Sequence, residues 1–241
     1  DIAILDEAHT IEGVAGDHLG ISASSGQVEY LLNRLYNDRT NKGLLVAHNL
    51  TDCQKAVIRL REYYADFFAA MRNWRQAKCP TNGRVRGPVE IPNELTPALR
   101  KLGIRLAQES EEIEAEEKRV ELKAASERCG MLAMAVDSWI SQTEDNSVFW
   151  IEATSGRRES TRLVSCPIEV GPVLRDELFN VKKTVVLASA TLAIGEENFD
   201  FFKSRLGLTK AIEKKLGSPF DYQRQVKLIV RDRMPDPTAK P

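Results

Sequence analysis

The 241-residue chain reads as an α/β protein whose parallel sheet is interrupted by a long, mostly helical insertion. Three observations predict this. Short apolar runs ended abruptly by polar residues, as in strands of parallel sheets, occur at 2–5 and 184–188. Between them, apolar positions recur at spacings of three and four, the period of a helix face. Alternating strand and helix signals return after Asn146. Residues 1–20 and about 147–216 are therefore assigned to one α/β domain, 21–146 to the insertion, and 217–241 to the start of a second domain.

The first nine residues, Asp1-Ile2-Ala3-Ile4-Leu5-Asp6-Glu7-Ala8-His9, predict a strand buried on both faces. Asp6 and Glu7 then stand at its carboxyl end, where open parallel sheets place their ligands. Two adjacent carboxylates there suit phosphate chemistry. One can hold Mg²⁺ through its water shell, and the next can orient or deprotonate an attacking water. A solvated strand end or a helix N-cap is the plainer reading of the same pair.

Residues 10–25, rich in glycine and small side chains, predict a loop. Val28, Leu31, Leu32 and Leu35 mark one face of a helix over 27–36, and 37–43 is a polar break. Thr51-Asp52 opens a long helix with the stripe Val57, Leu60, Tyr64, Phe67, Phe68, Met71 and Trp74, whose aromatics indicate core packing. Four prolines between 78 and 97 predict a loop or short extended segment. A third long helix is expected over 96–142, broken at Gly130. Leu99, Leu106, Ile113, Val120 and Met134 share its seven-residue lattice, which Glu127 interrupts. It would pack on the second helix as an antiparallel hairpin.

Strands at 148–151 and 162–165 flank a polar turn at 155–160. Gly171-Pro172 opens a short helix ending at 179, a strand begins at Thr184, a helix spans 198–206, and 226–230 reads as a last strand.

Composition excludes few classes. Hydrophobic residues make up 42% and charged residues 29%, and the net charge is −1. Attraction to nucleic acid would have to come from local patches, not from a global field. Cys53, Cys79, Cys129 and Cys166 are widely spaced, so no metal site is legible, and reduced thiols in a cytoplasmic protein are expected. No apolar run approaches a membrane span and no signal peptide is visible.

A second motif, Thr184-Val185-Val186-Leu187-Ala188-Ser189-Ala190-Thr191-Leu192, repeats the form of the first: an apolar strand, then small hydroxyl residues at its exit. A turn with capping hydroxyls is its plainer reading. Asp6-Glu7-Ala8-His9 is the tetrad of the Walker B motif in DEAH-type helicases, and Ser189-Ala190-Thr191 looks like helicase motif III. RNA helicases of the DEAH type join the two by a short helix and loop, whereas here 180 positions separate His9 from Ser189. That layout resembles the XPD/DinG family of superfamily 2 DNA helicases, in which a helical arch interrupts the first motor domain. Asp6 to Gly20, and Gly217-Ser218-Pro219-Phe220-Asp221-Tyr222-Gln223, are similar to the bacterial DinG branch.

The resemblance implies a RecA-like motor domain and 5′-to-3′ DNA unwinding driven by ATP, with roles in DNA repair and replication. It implies that Asp6 holds Mg²⁺, Glu7 activates water and His9 links to motif III. Ser189 and Thr191 would relay nucleotide state to single-stranded or forked DNA. No Gly-x-x-x-x-Gly-Lys-Ser/Thr occurs, and in that family the P-loop lies upstream of motif II. The chain is thus expected to be a piece of a larger helicase, inactive alone. The family's iron–sulfur cysteines, where present, also lie upstream. Against this stands a non-catalytic DNA- or protein-binding module that retains the motifs.

Two charged stretches remain. Arg72, Arg75, Lys78, Arg84 and Arg86, with Trp74 among them and no acid up to Pro88, could attract a single strand at the tip of the insertion. They could equally be a solvated turn with Trp74 buried. Six glutamates between 109 and 117 read as a solvated helix face, or as a DNA-repelling wall or partner site.

Overall fold

Two separate sheets organise the computed structural model, which describes residues 1–154, 159–195, 198–230 and 234. In chain order the elements are β1 (Ile2–Leu5), a 3-10 turn (Ala8–Thr10), α1 (Ile11–Leu19), β2 (Ser22–Ser24), α2 (Ser25–Leu35) and α3 (Leu44–Ala47). Then come α4 (Thr51–Lys78), β3 (Arg84–Val85), α5 (Leu95–Glu111), α6 (Glu116–Ser141), β4 (Ser147–Thr154) and β5 (Ser160–Pro167). The chain continues with α7 (Gly171–Leu174), a π-helical stretch (Arg175–Phe179), β6 (Thr184–Leu187), α8 (Asp200–Leu206) and α9 (Tyr222–Gln225). The chain is α/β, with one parallel and one antiparallel sheet.

The parallel sheet is the pair β1–β6, in register from Ile2 opposite Thr184 to Leu5 opposite Leu187. The expected burial on both faces does not hold: Ile2 is 71% and Ile4 72% exposed. Among the described residues no third strand flanks the pair, and a two-stranded ribbon cannot shield both of its faces.

The second sheet runs β2-β5-β4-β3 and is antiparallel throughout. It packs with the helices around the main core, which gathers residues from Ala23 to Leu163. The stripe expected on α4 is its centre: Val57, Leu60, Phe67, Phe68 and Met71 are buried, with Tyr64 and Trp74 packed at the edge. The helix over 27–36 is α2, opened by a capping box in which Ser24 and Gln27 satisfy each other's backbone amides. Trp139 of α6 is fully buried and donates its indole N–H to the Val164 carbonyl at 2.8 Å, tying helix to sheet. All four cysteines are free thiols, and burial pushes Cys129 up to about 12.

Several expectations are corrected. Residues 10–25 are not a loop, since they hold α1 and β2. The glycines that argued for a loop allow close approach instead. A Cβ at Gly16 would lie 2.8 Å from the Cys166 sulfur, and one at Gly20 only 1.9 Å from the Ser165 carbonyl oxygen. The helix expected over 96–142 is two helices, α5 and α6, and it breaks at 112–115 rather than at Gly130. Like charges at helical spacing repel, and the glutamate run therefore interrupts the helix while Ile113 packs against the core. The break resets the lattice: Leu99 and Leu106 are buried, but Val120 is 57% and Met134 64% exposed. Core positions on α6 are Leu122, Cys129, Leu132, Ala133, Val136 and Trp139. The α5–α6 hairpin closes tightly at Gly103, whose carbonyl accepts from Ser126 Oγ at 2.7 Å.

The strand expected at 226–230 is unpaired, exposed chain, because no neighbouring strand meets it among the described residues. The turn read at 155–160 falls on residues 155–158, outside those described.

Candidate functional site

Pairing of β1 with β6 brings the two motifs together. The Ala188 amide donates to the Leu5 carbonyl, and the Ala8 amide to the Ala188 carbonyl, both at 2.9 Å. The ladder thus continues one step beyond each strand, and the residues at both exits face a common point. Asp6 and Glu7 leave β1 there, and Ser189 and Thr191 leave β6.

Glu7 adopts a left-handed backbone conformation, φ 49° and ψ 41°, which is uncommon for a residue with a Cβ. Such a conformation costs about 1–3 kcal/mol and persists only where its surroundings enforce it. Here the Glu7 amide donates to Asp6 Oδ1 at 2.9 Å, and the Glu7 carbonyl accepts from both the amide and the hydroxyl of Thr10, each at 2.9 Å. The turn aims the Glu7 side chain back toward β6.

Three side chains then meet. His9 Nδ1 lies 2.8 Å from Ser189 Oγ and 3.2 Å from Glu7 Oε2. The Ser189 hydroxyl donates to Glu7 Oε2 at 3.3 Å, and the Thr191 amide approaches Ser189 Oγ at 3.5 Å. Both His9 contacts use the same ring nitrogen. This excludes a serine-hydrolase relay, which needs the two imidazole nitrogens on different partners. The tautomer with a proton on Nδ1 satisfies the cluster: the ring donates to Ser189, and Ser189 donates to the carboxylate. The cluster is a carboxylate held by an imidazole and a hydroxyl, open to solvent on the Glu7 and His9 side.

Asp6 stands apart from the three. One of its oxygens takes the Glu7 amide. Among the described residues, no three His, Cys, Asp or Glu side chains converge as a metal cage. A lone carboxylate beside open space suits Mg²⁺, which keeps most of its waters, and not zinc, which wants a closed set of nitrogen and sulfur donors.

The basic stretch is not a free tip. β3 lies inside it and pairs with β4, Arg84 opposite Trp150. Arg75 Nε donates to the Ile151 carbonyl at 3.1 Å, and Arg72 pairs with Glu159 at 3.7 Å. Trp74 packs against the core. Lys78 at the end of α4, Arg84 on the edge strand β3 and Arg86 just after it are exposed.

Sequence reasoning missed Thr10 and the ion pair of Glu12 with Arg205, which ties α1 to α8. A hydroxyl three positions after Glu7 was the available signal for the first. The second joins residues 193 apart, and no local pattern announces it.

Fold and site together define an α/β protein with a carboxylate–imidazole–hydroxyl cluster at the carboxyl ends of adjacent parallel strands. Comparison with curated proteins narrows this and bears out the resemblance to the DinG branch. The chain is 24% identical to the 3′-5′ exonuclease DinG of Bacillus subtilis, over 96% of its own length and 29% of that protein. It is 27% identical to the ATP-dependent DNA helicase YoaA of Escherichia coli, over 98% of its length and 35% of the relative. It is 24% identical to the probable ATP-dependent helicase YpvA of Bacillus subtilis, over 93% and 33%. The chain thus spans about a third of the length of the curated relatives it matches. No family model matches it, and no helix among the described residues is long and apolar enough to cross a membrane.

Proposed function

We propose that the chain is a segment of an ATP-dependent DNA helicase, carrying the water-activating half of the nucleotide site. The observation that carries this reading is the Glu7–His9–Ser189 cluster at the paired exits of β1 and β6. Glu7 accepts a proton from, or orients, the water that attacks the terminal phosphate. His9 and Ser189 hold its carboxylate and connect it to the segment that leaves β6 and bears Thr191, so that loss of the phosphate is felt there. Asp6 would hold Mg²⁺ through water, and the bound ion would neutralise phosphate charge. The phosphate cradle is not encoded in these residues, so turnover requires the rest of the parent protein, and the segment alone is inactive. The reading extends to 5′-to-3′ unwinding of DNA in the cytoplasm, with single-stranded or forked DNA as the bound partner.

Residues 1–20 and about 168–216 form part of a RecA-like motor domain in this reading. Hairpin β4–β5 is counted with the helical arch, because its partners are β2 and β3. In this reading the arch would end near 167, where the expected boundary was 146.

In the full-length protein, Glu7→Gln should retain ATP affinity and lower ATP turnover by roughly a hundredfold or more, as loss of a positioned base does. Equal loss of affinity and rate would remove the role assigned to Glu7. Replacing Lys78, Arg84 and Arg86 by alanine should weaken single-strand binding and flatten its salt dependence, with the slope falling by up to about 2. An unchanged salt titration would take the sheet edge out of the DNA path. A non-catalytic binding module is the second reading, favoured by a core that lies almost wholly in the helical part. Wild-type ATP turnover by the full-length Glu7→Gln variant would favour it.

A further inference from the structure

We infer that Thr10 is a positioning residue for Glu7, an inference that rests on the proposed role of Glu7 as the water-activating carboxylate. Glu7 is one of the few non-glycine residues with positive φ, and it sits between the strand exit and the 3-10 turn Ala8–Thr10. In that conformation its carboxylate reaches His9 and Ser189. In the extended or right-handed conformations that most residues prefer, the Cα–Cβ bond points elsewhere and the contacts are lost. Something must hold the backbone.

The Thr10 amide would close a turn on the Glu7 carbonyl with almost any residue at this position. Among the described residues the Thr10 hydroxyl is the one side chain that bonds the Glu7 carbonyl, and it does so at 2.9 Å alongside its own amide. Two donors on one carbonyl fix the peptide plane that follows Glu7, and with it ψ of Glu7. The Asp6 carboxylate fixes the other side through the Glu7 amide. Thr10 itself is exposed, has an ordinary backbone conformation, and touches neither His9 nor Ser189 through its hydroxyl. It therefore acts through Glu7 and does not meet the reacting groups.

The test uses the full-length protein and four forms: wild type, Thr10→Val, Thr10→Ser and Glu7→Gln. Valine keeps the shape and removes the donor, and serine keeps the donor and removes the methyl group. Steady-state ATP turnover and thermal midpoints are measured for each. One hydrogen bond's worth of positioning predicts that Thr10→Val lowers kcat by roughly three- to tenfold. KM for ATP and the midpoint should stay near wild type, and Thr10→Ser should restore kcat. The inference is overturned if Thr10→Val turns over like wild type while Glu7→Gln is dead. It is overturned equally if serine and valine are impaired alike, since the methyl group and not the hydroxyl would then matter. Wild-type turnover by Glu7→Gln would remove the underlying role of Glu7 instead, an outcome distinct from both.

Discussion

The two sheets of this chain are built on different terms. The antiparallel sheet β2-β5-β4-β3 has α2, α4, α5 and α6 around it and a core that includes Trp139, Phe67, Phe68 and a run of leucines. The parallel pair β1–β6 has a matching register and good hydrogen bonds, yet leaves Ile2 and Ile4 mostly in solvent. The residues with chemistry stand on the second, and the stabilising burial lies in the first. Hydrophobic stabilisation follows apolar area removed from water, so most of it comes from the helical region and little from the motif-bearing pair.

The largest expected effect lies in the helical region. Trp139→Ala should cost about 3–5 kcal/mol, because it empties a fully buried site and removes the indole bond to the Val164 carbonyl. Urea unfolding of the chain would measure it, and a cost below about 1 kcal/mol would show that the core can collapse around the loss. A middle value is expected where the regions join. Gly20→Ala places a methyl group against the Ser165 carbonyl, and relief of that clash should cost about 1–3 kcal/mol. If it does not, α1 is free to move away from β5, and the two regions are less coupled than their geometry indicates. The smallest effect should come from Ile4→Thr, within about 0.5 kcal/mol in this chain because the side chain is already exposed. The same change in the full-length protein should cost distinctly more if further structure covers β1. Equal, small costs in both would mean that the face stays bare and would count against a complete motor sheet.

Much of this was legible from residue order. Helical stripes on α2 and α4 could be read because burial on one face imposes a three- and four-residue period, and the exits of β1 and β6 because apolar strands end abruptly at charge or hydroxyl. Where local pattern competed with tertiary packing, the reading failed. Glycines at 13, 16 and 20 looked like loop markers, but helix α1 uses two of them to lie against β5, and a close approach between distant segments leaves no periodic trace. The heptad through Val120 and Met134 continued in the sequence but not in space, because the turn at 112–115 rotated the second helix relative to the first.

For the candidate site, carboxylates and hydroxyls at the ends of two apolar runs marked Asp6, Glu7, Ser189 and Thr191, and the resemblance to the helicase motifs added His9. Which of them touch could not be read from order. Their contact depends on β1 and β6 pairing across the whole insertion, with one register among several, and on a left-handed Glu7 that its own residue type disfavours. Local bonds of Glu7 with Asp6 and Thr10 hold that conformation, and the bonds of Leu5 and Ala8 with Ala188, which join the two strand exits, bring it against β6. Such a conformation exists only once the chain is folded, because each of those bonds is lost to water in the open chain.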